Sequence, residues 1–304
     1  MIIRPKLHWF RMLFAWRGSV LRRIFIQLTL LISCATVVVV INSFFPTLLA
    51  DLTPVPFTLL GIALAIFLSF RNSVSYDRFW EGRRIWGSML NDTRSLARQY
   101  MSVTYADAQS QRHFVYTLIA FVYAVKAQLR DTALTQEHLA LLRPQLLPAV
   151  NKARFKPVLI LSDAATQLGE LHKANKLHPV LFTVLDRHLS LLNEDLGGCE
   201  RLASTPVPFG YSLILHRTVY IYSFLLPFGL VDTVGMMTPL VVAFISYTFL
   251  AIDALAEELQ EPFGLEPNDL PLDAMAATIE ATLREMLGED AYPPVPEPVN
   301  CVLT

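Results

Sequence analysis

The sequence predicts an all-α membrane protein, with four transmembrane helices and a helical body outside the bilayer. Three observations carry that prediction. Residues 24–45, IFIQLTLLISCATVVVVINSFF, run for about 22 residues without a charge, and at ~1.5 Å per residue such a helix crosses the ~30 Å hydrocarbon core. Residues from Met236 to Leu255 repeat the pattern and stay uncharged until Asp253. The composition is 53% hydrophobic and only 17% charged, where a soluble domain averages roughly a quarter charged. Mean hydropathy is +0.42.

Taken in order, the chain opens with six basic residues, Arg4, Lys6, Arg11, Arg17, Arg22 and Arg23, and no acid before the first span. That span is too long for a signal-peptide core. It is followed by Asn42-Ser43-Phe44-Phe45-Pro46 rather than a small-residue cleavage site, so it reads as a retained anchor. The second apolar stretch, Phe57 to Phe70, is short for a span, but its helix is free to continue into the polar segment that follows. A third runs from Tyr211 to Phe228, and Pro227, Gly229 and Asp232 mark a tight turn before the fourth. The short connections at about 46–56 and 229–235 hold no Lys or Arg and one Asp each, Asp51 and Asp232. Arg71, Arg78, Arg83 and Arg84 crowd the end of the second span. Both termini are therefore expected in the cytoplasm, which four spans permit.

Four regions result: 1–70 with the first hairpin, 71–210 as a helical cytosolic region, 211–256 as the second hairpin, and 257–304 as an acidic segment with a Pro-rich tail after Tyr292. In 71–210, Phe114, Leu118, Phe121, Val122, Val125 and Leu129 recur at helical spacing, as do Leu181, Leu185, Leu189 and Leu192. Pro144, Pro148 and Pro157 break the helices.

No phosphate loop, zinc-protease helix, nucleophile elbow or dinucleotide turn is present, so no enzyme and no cofactor are expected. Seven His residues are scattered; His172 and His178 are misplaced for a shared metal face and read as surface. Cys34, Cys199 and Cys301 form no pairing pattern, and no basic–aromatic platform suggests nucleic acid. The acidic stretch from Asp253 to Asp273 offers oxygens around a Pro-Phe-Gly turn. From chemistry alone it is either a hard-cation site or a solvated helix end, so whether a metal binds there stays open.

Three motifs taken together carry a resemblance. Tyr76-Asp77-Arg78-Phe79-Trp80-Glu81-Gly82-Arg83 follows the second span, Pro206-Val207-Pro208 leads into the third, and Glu261-Pro262-Phe263-Gly264 is followed by Asn268-Asp269-Leu270-Pro271-Leu272-Asp273. In that order, over roughly residues 1–275, they resemble the bestrophin family in its bacterial branch. The resemblance implies a homopentamer around one central pore in the bacterial inner membrane. Ile62, Ile66 and Phe70 share one helix face, a spacing that lipid-facing or packing residues meet equally well. In bestrophins these positions line the pore neck, where stacked apolar rings gate by dewetting. Val180 resembles the position of a second, cytosolic constriction.

The resemblance to the bacterial branch also implies conduction of monovalent cations, sodium among them, with Glu258, Glu261, Glu266 and Asp269 attracting or binding the ion. Alternatives are an anion (chloride) channel of the same architecture, or a membrane-anchored scaffold or sensor without conductance. Two departures stand out. Animal members carry Phe where Ile66 stands. Their calcium clasp is a run of aspartates, which Leu265, Glu266 and Pro267 interrupt here, so gating by micromolar calcium is not expected.

Overall fold

The computed structural model describes residues 1–3, 8–13, 18–45, 53–290, 294–299 and 301–303. Arg4, Lys6, Arg17, Pro46, Asp51 and Tyr292, which the expectations about orientation and the tail use, lie outside the described residues. Among the described residues the regular structure is helical, apart from isolated bridges at Ile2–Val302 and Val299–Val302. In chain order the helices are α1 (Trp9–Leu13), α2 (Leu21–Phe44), α3 (Pro54–Val103), α4 (Ala108–Leu129), α5 (Gln136–Leu139) and α6 (Leu147–Lys152), then α7 (Lys156–Lys173), α8 (Pro179–Ser204), α9 (Phe209–Val234), α10 (Thr238–Leu259) and α11 (Leu272–Met286). The chain divides into two compact units. One comprises Pro5–Phe79 and Pro206–Glu261; the other comprises Met1–Arg4, Trp80–Thr205 and Pro262–Thr304.

The first unit holds the membrane-crossing material. Leu21–Phe44, Pro54–Val103 and Phe209–Leu259 are long and apolar enough to cross a bilayer. Helix α2 buries only Ile24, Leu31, Ala35 and Val38, a single stripe, and leaves Ile26, Leu30, Val37 and Val40 exposed. Such an outer face is stable where hydrocarbon or another apolar surface covers it. Its hydroxyls agree: Thr29, Ser33, Thr36 and Ser43 each donate to the carbonyl four residues back, at 2.8–2.9 Å. In lipid a polar group must be satisfied within its own helix or by a protein neighbour.

The core of this unit joins Leu31 and Ala35 of α2, Leu64 and Leu68 of α3, Val219, Tyr222 and Leu226 of α9, and Val242 and Leu250 of α10. Two glycines set how closely α3 and α9 approach. A Cβ on Gly61 would stand 2.8 Å from the Tyr222 hydroxyl, and one on Gly229 would stand 2.4 Å from the Phe57 ring.

The third span ends later than its composition suggests. Pro227 and Gly229 lie inside α9, which runs on to Val234, and the chain turns at Gly235–Met237 instead. A proline costs less within a buried or lipid-facing helix because neighbouring helices and local adjustment satisfy the backbone group it frees. Gly235, at φ +55° and ψ −128°, takes a positive-φ conformation that ends the helix and that other residues avoid.

A buried ion pair crosses this unit. Arg71 of α3 contacts Asp253 of α10, both about 5% exposed, and His216 Nδ1 of α9 stands 2.9 Å from the other oxygen of Asp253.

The second unit is built around α4, apolar on nearly every side and buried from Phe114 to Val125. Tyr100 of α3 stacks on Phe114 at 3.8 Å between centroids. Pro148 and Pro157 fall in the first turns of α6 and α7, where a missing N–H costs nothing. At the start of α11, Asp273 accepts from Lys126 at 2.8 Å and from Arg130 at 2.7 Å. Arg130 also donates to the carbonyls of Phe263 and Leu270 and so fixes the Pro-Phe-Gly turn. Burial pulls the Asp273 carboxyl upward, but the hydrogen bond and charge of Lys126 and the charge of Arg130 outweigh it and hold it below its ordinary value.

Two expected outcomes follow from these ion pairs. Arg71→Leu strands the Asp253 carboxylate in an apolar core and costs about 3–5 kcal/mol. The double change with Asp253→Leu recovers most of that loss in thermal melts of the detergent-solubilised protein. For Asp273, a depressed folded pKa means the brace stabilises above the unfolded carboxylate value of about 3.9 and is lost as pH falls through the lower folded value. Asp273→Asn therefore melts below the unsubstituted protein at neutral pH, and the gap closes in acid.

Candidate ion pathway

Helix α3 runs unbroken over 50 residues. In its apolar part the buried positions are Leu64, Leu68, Arg71 and Ser75, spaced by fours and a three along one stripe. At ~100° per residue, Ile62, Ile66 and Phe70 centre about 170° away from that stripe. They are 55%, 51% and 63% exposed, and with Ala65 and Ser69 they line a shallow apolar groove. The three residues therefore share a surface on the side of the helix turned away from its own subunit. That face offers van der Waals contact but no hydrogen bond and no charge, apart from the Ser69 hydroxyl.

Val180 belongs to the other unit. It is the second residue of α8 and 65% exposed. Its N–H donates to the His178 ring at 3.3 Å, a cap that fixes the first turn and leaves the valine side chain outward.

The acidic stretch is largely committed to structure. Asp253 is held by Arg71 and His216. Arg23 faces Glu257 at 3.0 Å and the buried Glu258 at 3.9 Å. Glu261 and Glu266 are exposed. Asp269 is buried and accepts from the Glu266 N–H at 2.7 Å, closing the turn on itself. Among the described residues, no three His, Cys, Asp or Glu side chains converge as a metal site. Glu81, a helix-spacing partner for Arg78 in the sequence, instead contacts Arg201 of α8 at 2.6 Å. Sequence reasoning also missed the Lys126–Asp273–Arg130 brace, because its members lie about 140 residues apart and only the fold brings them together.

The chain matches the family model described as Bacterial/Fungal Bestrophin protein over residues 1–285. A voltage-dependent anion channel-forming protein of Ralstonia nicotianae is 41% identical over 292 residues, 95% of each chain. The Escherichia coli K12 protein YneE, also named as voltage-dependent anion channel-forming, is 40% identical over 96% of each chain. Among solved structures, a bacterial bestrophin homolog from Klebsiella pneumoniae is 44% identical, with a TM-score of 0.85 over 88% of this chain and 100% of that one.

These names overturn the expectation of a monovalent-cation, sodium-conducting channel. The physical reason is visible in the side chains. Isoleucine and phenylalanine carry no charge to select an ion's sign. Of the four carboxylates expected to favour cations, Glu258 faces Arg23 and Asp269 closes a turn, while Glu261 and Glu266 are exposed. The chain, a multi-span bacterial membrane protein and not an enzyme, belongs to the bacterial and fungal bestrophin family of channels.

Proposed function

We propose that this chain forms an oligomeric anion channel whose neck is made by Ile62, Ile66 and Phe70. The observation that carries the reading is the apolar groove on α3 opposite its buried stripe. A helix in a subunit core does not leave such a face open unless lipid, another copy or a pore covers it. Copies arranged around an axis turn these side chains into rings that an ion passes only by shedding its hydration. Five copies, as in the family, make the ring complete, and Val180 supplies the second constriction. The anionic permeant follows from the names of relatives about 40% identical over nearly the whole chain. Glu258, Glu261, Glu266 and Asp269 have no part in conduction on this reading.

The four crossing segments are α2, the first half of α3, α9 and α10. The 24, 26 and 22 residues of α2, α9 and α10 each exceed the ~20 that a bilayer needs. Arg22 and Arg23 before the first hairpin and the arginines of 71–84 after it support a reading with both termini on the cytoplasmic side of the inner membrane, as does the turn Gly235–Met237, which carries no basic residue. Regions 1–70 and 211–256 are then the membrane hairpins, and 71–210 and 257–304 the cytosolic part.

Purified protein in a planar bilayer under a sodium chloride gradient tests this reading. The current reverses near the chloride equilibrium potential; a reversal near the sodium value, or no current, overturns it. In the same assay Ile66→Ala raises single-channel current several-fold by widening the ring, and Ile66→Phe lowers it. If both leave the current unchanged in an intact oligomer, the neck assignment is wrong.

A further inference from the structure

Helices α3 and α8 pack antiparallel in the second unit. Glu81 meets Arg201, Ile85 lies against Gly198, where an added Cβ would stand 2.9 Å from the isoleucine, and Gln99 meets His188 at 3.1 Å. The bare Gly198 lets the helices come close, and one turn away that closeness traps Asp195. Only 9% of this aspartate is exposed, and its Oδ2 is buried with no hydrogen-bond partner.

Across the seam stands a second carboxylate, Asp92, which accepts from the Ser88 hydroxyl at 3.1 Å. The same hydroxyl is within hydrogen-bonding reach of Asp195. One hydroxyl has one proton, and two carboxylates compete for it. No lysine or arginine contributes at Asp195; the charges that act on it are Asp92 from α3 and Glu194 from α8. His188 stands 3.5 Å from the far oxygen of Asp92. Helix α7 presents Val158, Leu161, Ser162 and Ala165 to α8, none of them charged, and α4 reaches α8 through Gln128 and Glu200.

We propose that the α3–α8 seam is a proton-binding site, in which Asp195 takes a proton from solution and donates it to Ser88, which donates in turn to Asp92. With that proton the chain of donors is complete, Asp195–H to Ser88–H to Asp92. Without it the seam holds one buried and one partly buried carboxylate and one hydroxyl donor, and the carboxylates repel. Burial pushes the Asp195 carboxyl up to about 7; the Ser88 hydrogen bond opposes the shift, and Asp92 and Glu194 add to it. A folded pKa above the unfolded value means the contribution to stability is full below about 3.9 and is lost as pH rises through about 7. The switch therefore lies in the physiological range. It acts on the two helices that carry the neck residues and Val180, and its link to conduction rests on the channel reading above.

The test is thermal unfolding of the full-length protein in detergent from about pH 5.5 to about 8.5, with current recorded in bilayers over the same range. The melting temperature falls as pH rises through the midpoint. Asp195→Asn, close in shape and neutral, removes that step and is the more stable protein at the alkaline end. Asp92→Asn moves the step down by about one pH unit, because it removes a like charge. His188→Gln keeps the step. If Asp195→Asn retains the original profile, or if His188→Gln abolishes it, the site is not Asp195 and the proposal fails. Current that changes across the step in the unsubstituted protein but not in Asp195→Asn supports coupling to the pore. Current with no such change removes the coupling. Absence of current in every variant overturns the channel reading and leaves the melting profile to decide the proton site.

Discussion

An arginine at the foot of an apolar helix needs a counter-charge, and Asp253 provides it for Arg71. The pair is almost fully buried, so neither partner is tolerable there without the other. It joins α3 to α10, and His216 adds α9 to the same node. Arg71 directly follows Phe70 in the chain, about 100° further round the helix, and is buried while Phe70 is 63% exposed. The charge is drawn into the subunit while the apolar residue beside it is left outside. If α3 were rotated to bring Phe70 inward, Arg71 would be carried away from Asp253 and out of the core. The rotational setting of the helix is thus fixed by electrostatics on one side, and the apolar face on the other side follows from it.

The second unit uses charge differently. Its braces join segments far apart in sequence, such as α4 to α11 through Asp273, and hold a turn that contains no regular structure of its own. The seam between α3 and α8 differs: there the buried Asp195 faces no lysine or arginine, and the nearest charges on it are the carboxylates of Asp92 and Glu194.

Much of the fold was legible in the sequence because lipid imposes a simple rule: a crossing helix must be apolar and long. The runs at 24–45 and 236–255 announce themselves on that rule alone. The end of α9 was not legible, because Pro227 and Gly229 are turn residues in water and tolerable helix residues in a packed apolar setting. Ile62, Ile66 and Phe70 were visible as a spacing, but only the buried stripe at Leu64, Leu68 and Arg71 shows that they lie on the open side. Which carboxylates of the acidic stretch are engaged was not legible, since their partners Arg23, Arg71, Lys126 and Arg130 lie far away in the sequence. The sign of the permeant ion was not legible at all, because apolar side chains do not encode it.

The packing of α3 on α9 is reciprocal: each helix contributes one glycine and one aromatic ring, and each ring lies over the other helix's glycine. Phe57 occupies the space above Gly229, and Tyr222 the space above Gly61. No single change that adds bulk at either glycine fits while the facing ring keeps its size, and shrinking a ring alone opens a void. These four positions are thus linked as two pairs in descent, and lineages that alter one member should be found to have altered its mate.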